Sequence, residues 1–387
     1  MKQGWEIKRL DDACEVEYGT RVVQKRDGGK IYPVYGGGGA TFFMDTFNRE
    51  DCLVVARFAM SAQCTRFVEG KFFLNDSGLT VRPKNDKELL PDFLNLQILF
   101  LNDHIYSLSR GTAQRNLDVP AFRNIQIAFP KSLPEQHRIV SILDEAFAAI
   151  AKAKANAEQN LKNAKELFES YLQGVFENGN WETKKWGELC DFVRGPFGGS
   201  LKKNVFKESG YVVYEQKHAI HDHFNQLRYF IDEEKFNEMK RFEVFPGDII
   251  MSCSGVTLGR VAVVPDGIPK GIINQALLKL TPKKNVNVHF IKHWLRSSIF
   301  QKIIFDYSGG AAIPNVPSAK ILKDIKIPCP SLKEQERIVT EIEIVLNESK
   351  RLEGIYQRKI DDLEELKKSI LQKAFAGELK TEKAVAV

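Results

Sequence analysis

Two stretches of the chain carry apolar residues at helical spacing over more than forty positions. In the later one the seam runs Ile342, Val345, Ser349, Leu352, Tyr356, Lys359, Leu363, Leu366, Ile370. The earlier one repeats it 199 residues upstream as Leu143, Ala146, Ile150, Ala153, Ala157, Asn160, Ala164, Leu167, Tyr171. Steps alternating between three and four are the heptad pattern of a coiled coil. The pattern predicts one long helix over 132–177 and a second over 331–376. Ser132 with Glu135, and Ser331 with Glu334, have capping-box spacing at the two starts. Pro134 falls in a first turn, where its missing N–H costs nothing, and Gly377 is placed to end the second helix. Where the second seam has Val345, Leu352, Tyr356 and Leu363 the first has alanine, so one helix supplies bulk and the other close approach. An antiparallel pairing is expected. The alternative, each helix packed on its own domain, stays open because periodicity does not name a partner.

The remaining residues, 1–131 and 178–330, hold short apolar runs such as DCLVVARF and GDIIMSCS between turn residues, the pattern of strands in a mixed globule. These parts are also related to each other. WEIKRLDDAC from Trp5 returns as WETKKWGELC from Trp181, an offset of 176 that carries Gly19 onto Gly195. Further on the offset is 199, carrying Leu74-Asn75 onto Ile273-Asn274, Ser109 onto Ser308, Gly111 onto Gly310 and Asn116 onto Asn315. SLPEQHRIV from Ser132 returns as SLKEQERIV from Ser331. The second copy therefore has 23 extra residues between Gly195 and Ile273. A repeat of this length defines the architecture. The expected fold is α+β: two globular domains of mixed α/β structure, joined by two long antiparallel helices that form a coiled-coil spacer in a pseudo-twofold repeat. The expected order is domain 1–131, helix 132–177, domain 178–330, helix 331–376 and tail 377–387.

Composition narrows the function class. At 387 residues, 43% hydrophobic and 27% charged, the chain is globular rather than disordered. It has no run of eighteen apolar residues and no apolar core near its N-terminus, so a cytoplasmic location is expected. Six cysteines without a C-x-x-C pair read as core or interface thiols. The net charge of +6 divides unevenly: +2 and +7 on the globular parts, −2 and −1 on the helical ones. Such a division suits domains that hold phosphates on a spacer that does not.

The common catalytic motifs are missing from the sequence. There is no P-loop, no G-x-S-x-G and no Pro-Pro pair, so neither N-P-P-[FY] nor D-P-P-Y can occur. Pro91-Asp92 and Pro265-Asp266 lack a following acidic-x-Lys triplet. The glycine run 36–39 reads as a loop tip. His218, His221 and His223 form the one metal-like group, without the Cys or carboxylate pattern of zinc. No catalytic residue and no metal site is expected. What remains is recognition, since Arg, Asn and Gln pair with base edges while Lys and Arg hold phosphates. The DNA-binding candidates in the first copy are Arg21, Lys25, Arg26, Lys30, Tyr35, Arg57, Arg66, Arg110, Gln114, Arg115 and Asn116. In the second they are Arg194, Lys202, Lys203, Lys217, His218, Arg228, Lys240, Arg241 and Arg260.

Two domains each opening W-x-x-x-x-[LW], each followed by a helix starting S-L-x-E-Q-x-R-I-V, resemble the specificity (S) subunit of Type I restriction-modification enzymes. The resemblance rests on Trp5 and Trp181, Glu135-Gln136 with Arg138-Ile139, Glu334-Gln335 with Arg337-Ile338, and Ala374-Phe375 with Gly377. Ser132 and Ser331 stand where the family often has proline, and Trp186 takes the place of Leu10. The resemblance implies that each globular part reads one half of a split, asymmetric sequence in double-stranded DNA. It implies helices that set the gap and dock two methyltransferase (M) subunits, which bring S-adenosylmethionine and flip an adenine for N6 methylation. It further implies two restriction (R) subunits with ATP and Mg, and no active site in this chain. The alternatives are a non-enzymatic DNA-binding repressor or coiled-coil scaffold, and a free-standing DNA methyltransferase, against which the missing motif argues.

Overall fold

The computed structural model describes residues 4–112, 114–197, 199–307 and 314–379. The repeat matches Ser308 and Gly310 lie outside them. In the first copy the apolar runs form β1 (Trp5–Arg9), β2 (Cys14–Tyr18), β3 (Tyr32–Tyr35), β4 (Ala40–Met44), β5 (Arg49–Ala56), β6 (Thr65–Leu74), β7 (Gly78–Pro83), β8 (Ser109–Arg110), β9 (Asn116–Leu117) and β10 (Gln126–Pro130). The second copy forms β11 (Thr183–Lys185), β12 (Cys190–Arg194), β13 (Tyr211–Tyr214), β14 (Phe230–Ile231), β15 (Ile249–Ser252), β16 (Val261–Val263), β17 (Gly271–Ile273), β18 (Leu277–Pro282) and β19 (Lys326–Pro328).

The repeat seen in sequence is a repeat of hydrogen-bond register. In the first copy six strands are ordered β2-β7-β5-β6-β3-β4; in the second, β12-β18-β15-β16 and β14-β13-β17 form separate sheets. Tyr18 pairs with Leu79, which pairs with Val55; Arg194 pairs with Leu278, which pairs with Met251. Parallel β3 and β6 set Tyr35 beside Leu74, and parallel β13 and β17 set Tyr214 beside Ile273. Tyr35 thus corresponds to Tyr214 and Val54 to Ile250, so the offset rises through 176, 179, 196 and 199. Most of the extra residues fall between Tyr214 and Ile250, where two short helices, β14 and a 3-10 turn are built. The long strand β6 is split in the second copy into β16 and β17 by Pro265, Gly267 (φ +76°) and Pro269. Proline cannot donate to a ladder, which opens one sheet into two. Gly19 and Gly195 mark the shared frame most tightly. A Cβ at either would lie 1.9 Å from the carbonyl oxygen of Asn75 or Asn274 respectively.

The long helices span Leu133–Asn178 and Leu332–Phe375. The chain divides into two compact units, Met1–Glu158 with Arg358–Val387, and Gln159–Gln357. Each unit therefore holds one globular part and portions of both helices. In the first unit Ile139 and Leu143 share an apolar core with Ala374 and Phe375, Arg138 donates to the Leu379 carbonyl (3.5 Å) and Lys154 pairs with Glu364 (2.5 Å). In the second unit Leu172 and Phe176 share a core with Ile338 and Ile342, and the Ser349 hydroxyl donates to the Ala164 carbonyl (2.5 Å). Within each unit contacts climb one helix as they descend the other, so the helix segments run antiparallel, and each pair also packs on the globular part.

Most of the expected seam is buried or half-buried: Leu143, Ala146, Ile150, Ala153, Ala157 and Tyr171 on the first helix, and Ile342, Val345, Leu352, Tyr356, Leu363 and Ile370 on the second. Four expected members are exposed, two of them apolar. Leu167 and Leu366 are 46% and 47% exposed. Next to Leu167, Phe168 packs on the second core, and next to Leu366 the exposed Lys367 lays its ammonium 5.1 Å over the Phe147 ring. Asn160 and Lys359 likewise give way to the half-buried Leu161 and Ile360. The cause is geometric. A helix of 3.6 residues per turn drifts about 20° per heptad from a strict 3.5 repeat, so after a few heptads the buried stripe moves over by one residue.

The helix starts differ from a full capping box. The Glu334 N–H donates to Ser331 Oγ (3.3 Å), but both Glu334 carboxylate oxygens accept from Arg337 (3.0 and 2.7 Å). The residue that ties helix to domain is the next one. Buried Gln136 donates from Nε2 to the carbonyls of Glu88 and Pro130 (both 2.7 Å) and accepts the Leu90 N–H (2.8 Å). Gln335 donates to the Pro330 carbonyl (2.9 Å) and accepts the Asn287 N–H (2.8 Å). At the far end Gly377 (φ +71°) is the left-handed cap: its N–H donates to the Ala374 carbonyl (3.0 Å), and that of Glu378 to Lys373 (2.7 Å).

Candidate nucleic-acid interface

In the first unit, residues distant in sequence meet beyond the end of β5. The Arg57 N–H donates to the Ser77 carbonyl (2.8 Å), Leu117 N–H to the Arg57 carbonyl (2.8 Å), and Met60 N–H to the Arg115 carbonyl (2.9 Å). Ala59 N–H donates to Asn116 Oδ1 (3.2 Å), Gly37 N–H to Ser77 Oγ (3.2 Å), and Arg66 Nη2 to the Gly37 carbonyl (3.2 Å). Four candidates, Arg57, Arg66, Arg115 and Asn116, thereby share one edge with the glycine loop. The Arg57 guanidinium lies 4.8 Å from the Tyr18 ring and 4.4 Å from the Phe58 ring, and its Nη1 donates to the Asp76 carbonyl (3.3 Å). Arg115 lies over Tyr106 (5.1 Å). Stacking on aromatic faces fixes a guanidinium plane without a neutralising carboxylate. No carboxylate pairs with Arg57, Arg66 or Arg115 among the described residues.

The other first-unit candidates are placed differently. Arg21 is exposed, just after Thr20, whose N–H donates to the Leu74 carbonyl. Lys25 and Arg26 are exposed on the short helix Gln24–Asp27, where Arg26 holds the Asp27 carboxyl below its ordinary range. Lys30 is exposed, with its backbone N–H on Asp45. Tyr35 is half-buried, edge-on to Phe72 (5.4 Å). Arg110 is paired with Asp118, and Gln114 is exposed. Asn116 is a partial correction: its oxygen already accepts the Ala59 N–H. A bidentate adenine contact needs both ends of the amide.

The second unit keeps the backbone bonds and changes the side chains. Cys253 N–H donates to the Ala276 carbonyl (2.9 Å), Val316 N–H to the Cys253 carbonyl (2.9 Å) and Gly255 N–H to the Pro314 carbonyl (2.9 Å), while Ser254 bridges Asn315. By register, Arg57 corresponds to Cys253, Arg66 to Ala262, Arg115 to Pro314 and Asn116 to Asn315. Tyr18 corresponds to Arg194. None of the three arginine positions at the first edge carries a cation at the second. Arg194 lies against the Cys253 thiol, whose pKa burial pushes up to about 12 while the guanidinium opposes the rise.

Of the remaining second-unit candidates, Lys202, Lys203, Arg241 and Arg260 are exposed. Arg228 stacks on Tyr229 (4.8 Å), Lys240 lies 5.6 Å over Phe236, and Lys217 pairs with Glu215 (3.4 Å). His218 is a correction. It is fully buried, its Nδ1 accepts the Glu215 N–H (2.9 Å), and its Nε2 bonds the Gln226 carbonyl (3.3 Å). Burial lowers its pKa, with these backbone bonds acting in the opposite direction. It caps a short helix and packs beside Tyr214 and Phe224 because a neutral imidazole can satisfy both nitrogens inside a core. Sequence reasoning missed Tyr18 and Phe58, which hold Arg57. Their signal was an aromatic at a strand end and another beside the arginine.

Comparison with known proteins agrees with this frame. The Type I restriction modification DNA specificity domain matches twice, over residues 2–162 and 178–358. The chain is 23% identical to the Type I restriction enzyme MjaVIII specificity subunit of Methanocaldococcus jannaschii, over 80% of this chain and 76% of that protein. It is 28% identical to the EcoKI specificity subunit of Escherichia coli, over 71% of this chain and 62% of that one. The HsdS subunit from Thermoanaerobacter tengcongensis superposes with a TM-score of 0.61 at 19% identity, over 98% of both chains. A chain from the structure of a type I R-M system superposes with a TM-score of 0.78 at 18% identity, over 98% of this chain and 99% of that one. With two specificity domains on a duplicated frame, the chain belongs to the Type I restriction-modification DNA specificity subunits, non-catalytic members of their complexes.

Proposed function

We propose that the two globular parts read different halves of a bipartite, asymmetric sequence in double-stranded DNA, and that the long helices set the gap and dock two methyltransferase subunits. Those partners would bind S-adenosylmethionine and methylate adenine at N6 after flipping it from the duplex. Two restriction subunits would use ATP and Mg. The supporting observation is the pair of edges, in which one backbone frame carries Arg57, Arg66 and Arg115 in one unit and Cys253, Ala262 and Pro314 in the other. Reading surfaces that share a frame and differ in donors call for different bases. Long-read sequencing of modified adenines, in a host carrying this chain with its methyltransferase partner, tests the proposal. The expected motif has two unlike specific parts around a fixed non-specific gap. A palindromic or single-part motif would overturn it.

A further inference from the structure

Two positions flank the central strand of each reading edge. One is the last residue of β2 or β12; the other is the residue just past β5 or β15. The first unit has Tyr18 and Arg57 there, and the second has Arg194 and Cys253. Each pair holds a single arginine, but on opposite sides of the central strand. Backbones two strands apart are separated by about 10 Å, nearly three times the rise of about 3.4 Å per base pair. The arginine thus enters the edge from opposite sides of the central strand in the two units, and in each its side chain leans toward the paired position, Arg57 over the Tyr18 ring and Arg194 against the Cys253 thiol.

We infer that this pair of positions is a base-reading element, with Arg57 reading a guanine in one half-site and Arg194 a guanine in the other. The inference rests on the proposed reading that these domains bind DNA, and adds to it the residues and the base. Arg57 is prepared for the task. Its guanidinium lies over the Tyr18 and Phe58 rings and the Asp76 carbonyl takes Nη1, while the Nε and Nη2 edge makes no bond among the described residues. A planar edge with two parallel donors matches O6 and N7 of guanine. Some arginines of the first unit are tied to carboxylates, Arg49 to Glu17, Arg110 to Asp118 and Arg123 to Asp11, whereas Arg57 shares its freedom from them, among the described residues, with Arg66 and Arg115. Arg194 has no carboxylate partner among the described residues, and its neighbour is an uncharged thiol held protonated by burial.

The test uses the full chain with its methyltransferase partner and reads adenine methylation across a genome. Arg57→Gln should relax one guanine in one half-site by roughly 5- to 150-fold in discrimination, leaving the other half-site and the gap as they were. The transplant Tyr18→Arg with Arg57→Cys should move the guanine preference within that half-site, and Arg194→Tyr with Cys253→Arg should do the converse in the other. A uniform fall in methylation with an unchanged motif would overturn the inference and return Arg57 to a phosphate contact. If the transplants do not assemble, Arg57→Gln alone decides, since it leaves both aromatic rings in place. Should the unaltered chain direct methylation to no two-part motif, the wider DNA reading fails. Should it do so while Arg57→Gln changes nothing, only the base-reading pair fails.

Discussion

The two units solve the same backbone problem with unequal means. In the first, a ten-residue β6 joins six strands into one sheet, and the proposed reading edge carries three arginines around a glycine loop. In the second, prolines divide the sheet, extra elements cover it, and the side chain of Gln216 reaches the Ser254 carbonyl (3.0 Å) at the place of Gly37. What stays constant is the backbone ladder, the glycine packed against an Asn carbonyl, and the glutamine at each helix start. A frame stabilised by main-chain bonds leaves edge side chains free to vary. That freedom is what a protein needs to change its target without refolding.

The glutamines offer the strongest way to break the comparison. Gln136→Ala would strip partners from the Leu90 N–H and from the Glu88 and Pro130 carbonyls, whereas Gln335→Ala strips the Asn287 N–H and the Pro330 carbonyl. Leaving buried backbone groups unsatisfied costs about 1–3 kcal/mol each, less where water can enter. We expect a loss of about 3 kcal/mol from Gln136→Ala and about 2 kcal/mol from Gln335→Ala. Hydrogen exchange should localise each to its own unit. Equal, delocalised losses would mean that these residues do not tie helix to domain.

A difference in acid sensitivity should follow next. His293 is buried, with Nε2 bonded to Glu343 (2.9 Å), and its counterparts in the first copy are Leu94 and Asp144. Burial lowers the His293 pKa to about 4, against the pull of Glu343; Lys292 and Arg296 push in the same direction as burial. Because the folded value lies below the unfolded value near 6.5, the unfolded chain binds more protons between them. The stabilisation is complete above pH 6.5 and is lost as pH falls toward about 4, at no more than about 1.4 kcal/mol per pH unit for one proton. Tryptophan fluorescence follows the second unit, which holds Trp181, Trp186 and Trp294 against Trp5 in the first. Replacing His293→Leu should flatten its acid transition. An unchanged transition would assign acid sensitivity elsewhere.

The sequence was most legible where the repeat was least diluted. Trp5 and Trp181, Gly19 and Gly195, and the two S-L-x-E-Q-x-R-I-V segments sit where the offset is constant, and helix lengths and direction followed from them. The seam was legible to within one residue; it slipped at Leu167 and Leu366 because 3.6 does not divide seven. The proposed reading edge was only half legible. Arg57 and Arg115 could be singled out by residue type, and the 199 offset that carries Asn116 onto Asn315 also carries Arg115 onto Pro314, but Cys253 lies where the offset is 196, and only strand register aligns it with Arg57. His218 misled because a histidine between a lysine and a histidine-rich turn looks solvated until its burial is known. Gln136 and Gln335 were noticed as motif letters, yet their work as backbone partners depends on loops far away in sequence.

The smallest expected effect concerns the helix seam. Ser349 is buried, and its hydroxyl donates to the Ala164 carbonyl; the first helix has Ile150 at the position corresponding to Ser349, and the second has Leu363 at that of Ala164. Each unit thus has one seam layer in which the repeat exchanged a serine-alanine pair for an isoleucine-leucine pair. A hydroxyl bonded to a helix carbonyl adds little, because that carbonyl already accepts the N–H four residues on and is not orphaned when the hydroxyl goes. Ser349→Ala removes one oxygen, opens no large cavity and leaves no buried donor behind. We expect a loss of about 0.5–1 kcal/mol, a fall of about 2 °C in the melting of the second unit, and no change in the first. If Ser349→Ala instead raises the melting temperature, the desolvation of the hydroxyl outweighs its bond. The serine would then be retained for register, as a polar group in a seam that accepts only one alignment with Ala164.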